Sequence, residues 1–362
     1  MYRPLETLLK KTPIASTMAF SCVVFFASLG SVQAQSFNVP ENGTLTGIRV
    51  LNPGETGVVG SGGVLQNTST AISLTGGGAS TVTNNGTIIS TTGRAIDAAN
   101  GPGSLIVNNG TISSAANTDA IFLDITPGAG ITVINNGLIS AAANFGAAIG
   151  IRQTNSIVVN SGTLKATGTG LNAAGVVIRG NGVSLTNTGL IIGEGTGGSG
   201  VAFLSFGDNS VMTNSGTITA TGTNGTGLVF ESGSSGNTAT NTGTISATGA
   251  GGVAVDFTTT TANTFLNNGL ISATGAATQA IVGGTGDQTI NLGTGSQIIG
   301  TVDLGGGTDT VNILGTGPSS VVTFANTENI NLASNVAGVV IGNTATTVDT
   351  TGHSFWDKPL AR

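Results

Sequence analysis

Asn214-Ser-Gly-Thr-Ile-Thr-Ala220 and, one repeat further on, Asn241-Thr-Gly-Thr-Ile-Ser-Ala247 decide the fold of this chain. The same string recurs around Gly86, Gly110, Gly137, Gly162, Gly189, Gly216, Gly243 and Gly269. The mean step is about 26 residues, within the range of solenoid repeats. Asn42-Gly43-Thr44-Leu45 reads as an earlier, more diverged copy. Two places before each glycine stands an asparagine: Asn84, Asn108, Asn135, Asn160, Asn187, Asn214, Asn241 and Asn267. Two places after it stands Ile or Leu, from Ile88 to Ile271, and four places before it an apolar residue, from Val82 to Phe265. Four places after it stands a small residue, such as Ala220 or Ala247, while the intervening positions are mostly Thr or Ser. That alternation is a strand with its apolar or small side chains inward and its hydroxyls outward.

Working outward, a second apolar stretch follows about twelve residues later in each copy, as in Ala120-Ile-Phe-Leu123, Val176-Val-Ile178 and Gly227-Leu-Val-Phe230. A third leads into the next asparagine, as in Leu105-Ile-Val107 and Ile157-Val-Val159. Three short strands in about 26 residues cannot bury their own apolar face, but stacked copies can. The expected fold is therefore all-β: a parallel β-helix of three-strand coils, right-handed by the usual rule for parallel crossovers. At about 4.8 Å per coil, residues 35–345 make about twelve coils and a rod roughly 60 Å long. The asparagine column is expected to stack as an amide ladder with a structural role. The glycine is expected wherever the turn needs positive φ or has close neighbours.

Composition agrees. The chain has 60 glycines in 362 residues and 7% charged residues. Ordinary proteins carry about 7% glycine and roughly 25% charge. So much glycine excludes a mainly helical protein, since each costs about 1 kcal/mol in a helix relative to alanine. With 38% hydrophobic residues the chain is also not a disordered tail. Eight prolines and no strict triplet exclude collagen.

Residues 1–34 read as an address. Arg3, Lys10 and Lys11 precede an apolar run from Pro13 to Gly30, and Val32-Gln-Ala34 puts small residues at −3 and −1 of a cleavage site. Removal of this segment takes away the lone cysteine, Cys22, leaving no disulfide chemistry. It also leaves seven bases against fifteen acids, a net charge of −8. Such a surface is a poor nucleic-acid binder, because that affinity comes from neutralised phosphates. No later apolar run is long enough for a spanning helix, so none is expected in the mature chain.

A signal segment followed by Asn-x-Gly-[Thr/Leu]-[Ile/Leu] coils resembles the passenger domain of Gram-negative autotransporters, the type V secretion proteins. Ile299-Gly-Thr-Val-Asp-Leu-Gly-Gly-Gly-Thr-Asp-Thr-Val-Asn-Ile-Leu314 looks like the last coils of such passengers, and residues 335–353 resemble the segment before their translocator barrel. The likeness divides the chain into a signal at 1–34, passenger repeats at 35–300, terminal coils or a cap at 301–345, and a pre-barrel linker at 346–362. The family's barrel does not follow; the expectation is a truncated passenger whose outer-membrane translocator is missing from this chain. The implied role is a non-enzymatic surface or secreted protein, an adhesin or rigid spacer, with a host-cell or glycan surface ligand. It would be exported across the inner membrane, reaching the cell surface or the medium if a translocator is supplied and otherwise staying periplasmic.

Catalytic constellations are scarce. The single histidine, His353, lies outside the coils, and without a mature cysteine neither thiol catalysis nor Cys/His zinc ligation is open. No P-loop is present. Asp309 in Gly305-Gly-Gly-Thr-Asp309 and Asp287 in Gly283-Gly-Thr-Gly-Asp287 only partly match calcium-binding nonapeptides, so the expected reading is a glycine-turned terminal coil with a solvated Asp309. Threonine rows that could order water are broken by Leu138, Leu190, Leu270, Ile89 and Lys165. No catalytic, cofactor or metal residue is assigned.

One charge pattern remains. Apart from Lys165 and Glu194, charges avoid the repeat strand and follow the second apolar stretch: Asp97, Asp124, Arg152, Arg179, Asp208, Glu231 and Asp256. If stacked, they form a ridge. Its plain role is to deter lateral aggregation. The alternative function is a polysaccharide-acting β-helix enzyme, a lyase or hydrolase, that uses Asp97, Asp124, Arg152 and Arg179.

Overall fold

Val82, Ile106, Val133, Val158, Met212 and Phe265 are all fully buried, and so are Ile88, Ile112, Ile139, Leu164, Ile191, Ile218, Ile245 and Ile271. These two columns face each other across the interior of a parallel β-solenoid. A computed structural model describes residues 35–343 and 347–349, except 125–127, 143, 145, 171–172, 204–206, 232, 258–262, 316–320 and 334–339. The signal segment, Cys22, His353 and most of the 346–362 linker lie outside the described residues.

Every third strand pairs with its counterpart one coil on, giving three parallel sheets of 14, 11 and 13 strands. The first sheet runs from Gln35–Val39 to Thr347–Asp349, the second from Thr44–Thr46 to Gln297–Ile299, and the third from Arg49–Leu51 to Val340–Asn343. The repeat glycine stands in the turn from the first sheet to the second. Thr44–Thr46 opens the second sheet, so the diverged Asn42-Gly43 copy is a true coil. Eleven successive coils carry a strand of each sheet among the described residues, close to the twelve expected. No described helix is long and apolar enough to cross a membrane.

The second sheet keeps the alternation read from the sequence, buried residues alternating with half-buried hydroxyls in Thr217–Ala220 and Thr244–Ala247. In the middle of the third sheet the pattern differs: Ala174–Ile178 and Thr226–Phe230 are buried on both faces.

The asparagines form the expected ladder. Each Nδ2 donates to Oδ1 of the asparagine one coil on at 2.7–2.8 Å, from Asn84 through to Asn267. All eight are fully buried. In the next coil Leu292 takes the ladder position. There the last amide, Asn267 Nδ2, donates instead to Ser296 Oγ at 2.6 Å. The second sheet ends just after this serine, at Ile299. Beyond it the coils shorten: the first-sheet partners Thr289, Thr310, Asn329 and Thr347 follow one another more closely along the chain than the ladder asparagines do. The terminal coils thus keep the first and third sheets and drop the turn that the amide ladder supports.

A second polar column stands just before the first-sheet strands. Backbone N–H groups donate to a side chain one coil on: Ser80 to Ser104 Oγ, Val183 to Ser210 Oγ, Ser210 to Asn237 Oδ1, and Asn237 to Asn263 Oδ1. Gln288 to Asp309 Oδ1 and Asp309 to Glu328 Oε2, both 2.8 Å, continue it. Asp309 is therefore not solvated as the sequence suggested. It is fully buried, with Oδ2 left without a partner.

The repeat glycines owe their place to close neighbours rather than to φ. None of them has positive φ. A Cβ on Gly110, Gly137, Gly162, Gly189, Gly216, Gly243 or Gly269 would collide with the carbonyl oxygen of the glycine one coil earlier. Positive φ belongs to other turns; in one of them Asn155, Gly182, Asn209 and Gly236 stack in alternation.

Candidate functional site

The outer face of the third sheet carries the charges that the sequence grouped as one ridge, and the register divides them. Leu123, Ile151, Ile178, Phe203, Phe230 and Phe257 form one continuous column. The next residue along the chain gives a trailing row of Asp124, Arg152 and Arg179, with Glu231 two coils further on. Asp97 and Asp256 belong one place before that column, paired with Phe122 and Val229. Asp208 is elsewhere, in a turn where its Oδ1 accepts from the backbone N–H of Ser235 at 2.7 Å. The seven charges are therefore not one ridge: offsets counted from the repeat glycine absorb turns of different length, whereas stacking is set strand by strand.

Four of the seven do converge. Asp97, Asp124, Arg152 and Arg179 share a strip across four coils with three residues that the sequence reading did not single out: Arg94, Asp119 and Phe122. Arg94 Nη1 donates to Asp97 Oδ2 at 2.9 Å. Its guanidinium also lies 3.7 Å from the centroid of the Phe122 ring, and that of Arg152 lies 5.3 Å from it. Phe122, only 4% exposed, thus takes a cation from the coil before and another from the coil after. Arg152 Nη1 lies 3.8 Å from Asp124 Oδ1, too far for a hydrogen bond.

Asp119 leans across this strip. Its Oδ1 accepts from the backbone N–H of Ala147 at 2.8 Å. Gly150, one coil above Phe122, leaves the space that the carboxylate fills, since a Cβ there would collide with Asp119 Oδ2. Burial pushes the Asp119 carboxyl above the usual range, against the Ala147 hydrogen bond and the charges of Arg94, Arg179 and Arg152. Burial also lowers the Arg179 guanidinium, the neighbouring Arg152 lowers it further, and Asp119 and Glu231 act in opposition. Beside the strip Ala147, Ala174, Val177 and Val229 form an apolar cluster separate from the core.

Lys165 and Glu194, the two exceptions on the repeat side, meet as an ion pair at 2.8 Å. Asp287 Oδ1 accepts from the backbone N–H of Thr308 at 2.7 Å. Among the described residues no group of three or more His, Cys, Asp or Glu is placed to hold a metal. What the strip offers is recognition chemistry: guanidinium forks for planar anions and carboxylate acceptors for hydroxyl or amide donors.

Fold and site together define a three-sheet parallel β-solenoid with a buried amide ladder and one mixed-charge strip on its third sheet. Neither a family model, a curated protein nor a solved structure matches this chain.

Proposed function

We propose that the chain is a non-enzymatic, exported rod of the autotransporter-passenger type, working as an adhesin or rigid spacer. The observation that carries the reading is the long parallel stacking: seven amide-to-amide links join eight successive coils, and three parallel sheets run through eleven. Such a rod spaces its outward rows about 4.8 Å apart, which suits contact with an extended surface polymer. The test is adherence of beads coated with the chain to cells and to immobilised glycans, with a scrambled-sequence control. Adherence above control supports the adhesin. Adherence at control level removes it, and a maximum dimension well under roughly 60 Å in small-angle scattering removes the spacer as well.

One observation favours a second reading, a polysaccharide-acting enzyme on the same strip: Asp119, a carboxyl held above its usual range, faces three arginines. Release of reducing or unsaturated ends from polyuronides, lost in the Arg152→Ala/Arg179→Ala double variant, would establish it; no turnover with or without calcium removes it.

A further inference from the structure

The outer face of the first sheet carries no charge from Thr56 to Asn331. Its outward positions, the first and third of each strand, hold only Thr, Ser, Asn and aliphatic residues. The aliphatic ones gather in three successive coils. Leu105 and Val107 pair with Thr132 and Ile134, and these with Ile157 and Val159. Ile157 is 44% exposed, and Leu105, Val107, Ile134 and Val159 are half-buried. The coils on either side return to hydroxyls, Thr81 and Thr83 before the patch and Ser184 and Thr186 after it. The other two faces differ: the second carries the Lys165–Glu194 ion pair, and the middle of the third is buried on both sides.

The patch is complementary to itself. A two-fold axis laid along the Thr132–Asn135 strand sets Leu105 opposite Ile157 of a second copy, Val107 opposite Val159, and Ile134 opposite its own counterpart. The flanks match as well, Thr81 with Ser184 and Thr83 with Thr186. The contact has an aliphatic centre and a hydroxyl rim, the usual anatomy of a protein interface. The adjoining turn adds side chains already satisfied within the chain: Asn109 Nδ2 donates to Asn85 Oδ1, Asn136 Nδ2 to Asn109 Oδ1, and Ser161 Oγ to Asn136 Oδ1, each at 2.8 Å. Charge favours this axis over one along the rod, which would also bring the two patches together. Residues 35–179 carry five acids and five bases, whereas residues 180–349 carry nine acids and no base. Parallel rods would align two acidic halves; antiparallel rods send them in opposite directions. With seven coils in contact, from Thr56 to Val211, the shared face covers roughly 450 Å² per copy, at the low end of the interface range, so the association is weak and concentration-dependent.

We propose that this face is a self-association site, on which two copies of the chain pack antiparallel, first sheet against first sheet, about a two-fold axis at Ile134. The partner is a second copy of this chain, so the inference stands apart from the adhesin reading and from any foreign ligand.

The test is sedimentation velocity of the full chain over a concentration series from about 1 μM to about 1 mM. A reversible monomer–dimer equilibrium is expected. Ile134→Asp, which brings two carboxylates face to face on the axis, should weaken the dimer at least tenfold. Thr111→Asp, on the second sheet just beyond the turn from Leu105–Asn108, should leave it unchanged. Leu105→Lys and Ile157→Glu should each weaken it, and the two together should restore most of it, because each lysine then faces a glutamate of the other copy. With the axis along the rod, Leu105 would face Val107 instead and the double variant would stay weak. All four positions point outward, and circular dichroism checks that the variants fold; the Leu105 and Ile157 variants carry the test if Ile134→Asp does not. A monomer at every concentration, an Ile134→Asp dimer as tight as the wild type, an equal loss in Thr111→Asp, or a double variant no tighter than its parents overturns the proposal. So does a monomeric chain whose bead adherence is lost in Ile134→Asp, which would give this face to a foreign surface.

Discussion

The side-chain amide of Asn187 donates from Nδ2 to Oδ1 of Asn214, one coil on, at 2.7 Å, and neither residue is exposed. The same Nδ2 also donates to Gly189 O at 3.2 Å and Thr217 O at 3.3 Å, while Oδ1 accepts from Asn160 at 2.7 Å. One amide thus serves the turn of its own coil and both neighbours. Only a side chain with both a donor and an acceptor can do this at every level of a parallel stack.

Asn187→Ala removes that junction and orphans the buried Oδ1 of Asn214. A loss of about 2–4 kcal/mol is expected, combining a small cavity with an unsatisfied acceptor. Asn187→Asp should cost more, because it sets a buried carboxylate oxygen against Asn214 Oδ1. Solenoids open locally, so the measurement is hydrogen exchange by coil. Loss of protection should centre on the coils around 160–217; equal effects from the two variants would count against the ladder's donor direction.

Two glycines separate close approach from φ. Gly189→Ala puts a Cβ against the backbone of Ser161 and Gly162 and should cost about 1–3 kcal/mol, because a carbonyl cannot step aside. Gly236→Asn should cost less than about 1 kcal/mol. Asn155 and Asn209 already hold that turn position at φ 54° and 52°, and the group a new side chain would meet is the movable amide of Asn209. Thermal melts of the two variants check the order.

The asparagine and glycine columns were legible because each holds one residue type at one job. The polar column of Ser104, Ser210, Asn237, Asn263, Asp309 and Glu328 was not, since any acceptor can serve a backbone N–H and the residue type drifts from coil to coil. The charged strip was half legible: Asp124, Arg152 and Arg179 stack, but Asp97 and Asp256 sit a place early and Asp208 falls in another turn. Arg94 and Asp119 escaped because they precede the third-sheet strand, where turn lengths vary. The third-sheet strands were read only as apolar stretches; Ala174–Ile178 is buried throughout, so it carries no alternation that a sequence could show.

Asp256 and Asp309 should make the rod more stable in mild acid than at neutrality. Burial pushes both carboxyls up to about 6; for Asp309 the charges of Glu328 and Asp287 push the same way, and the Gln288 hydrogen bond opposes them. A raised folded-state value means that the folded chain binds more protons than the unfolded one between about pH 4 and about pH 6. Stability therefore falls as pH rises through that window. Asp309→Asn keeps the acceptor for Gln288 and removes the charge, so it should raise the melting temperature at pH 7 and leave it nearly unchanged at pH 4.5. A melting temperature that rises with pH in the wild type would refute the assignment.

Gly150 and Asp119 should behave as one unit. The carboxylate occupies the space where a Gly150 side chain would begin, and it accepts from Ala147 N–H at 2.8 Å. Gly150→Ala alone must push it off that donor, at a cost of about 1–3 kcal/mol. Asp119→Ala alone leaves the Ala147 N–H without its acceptor and removes a carboxylate from beside three arginines, a cost of similar size. Once Asp119 is gone the extra methyl of Gly150→Ala has room, so the double variant should lose less than the two singles combined, by at least about 0.5 kcal/mol. A strictly additive result from denaturant unfolding would mean that the two sites do not share that space.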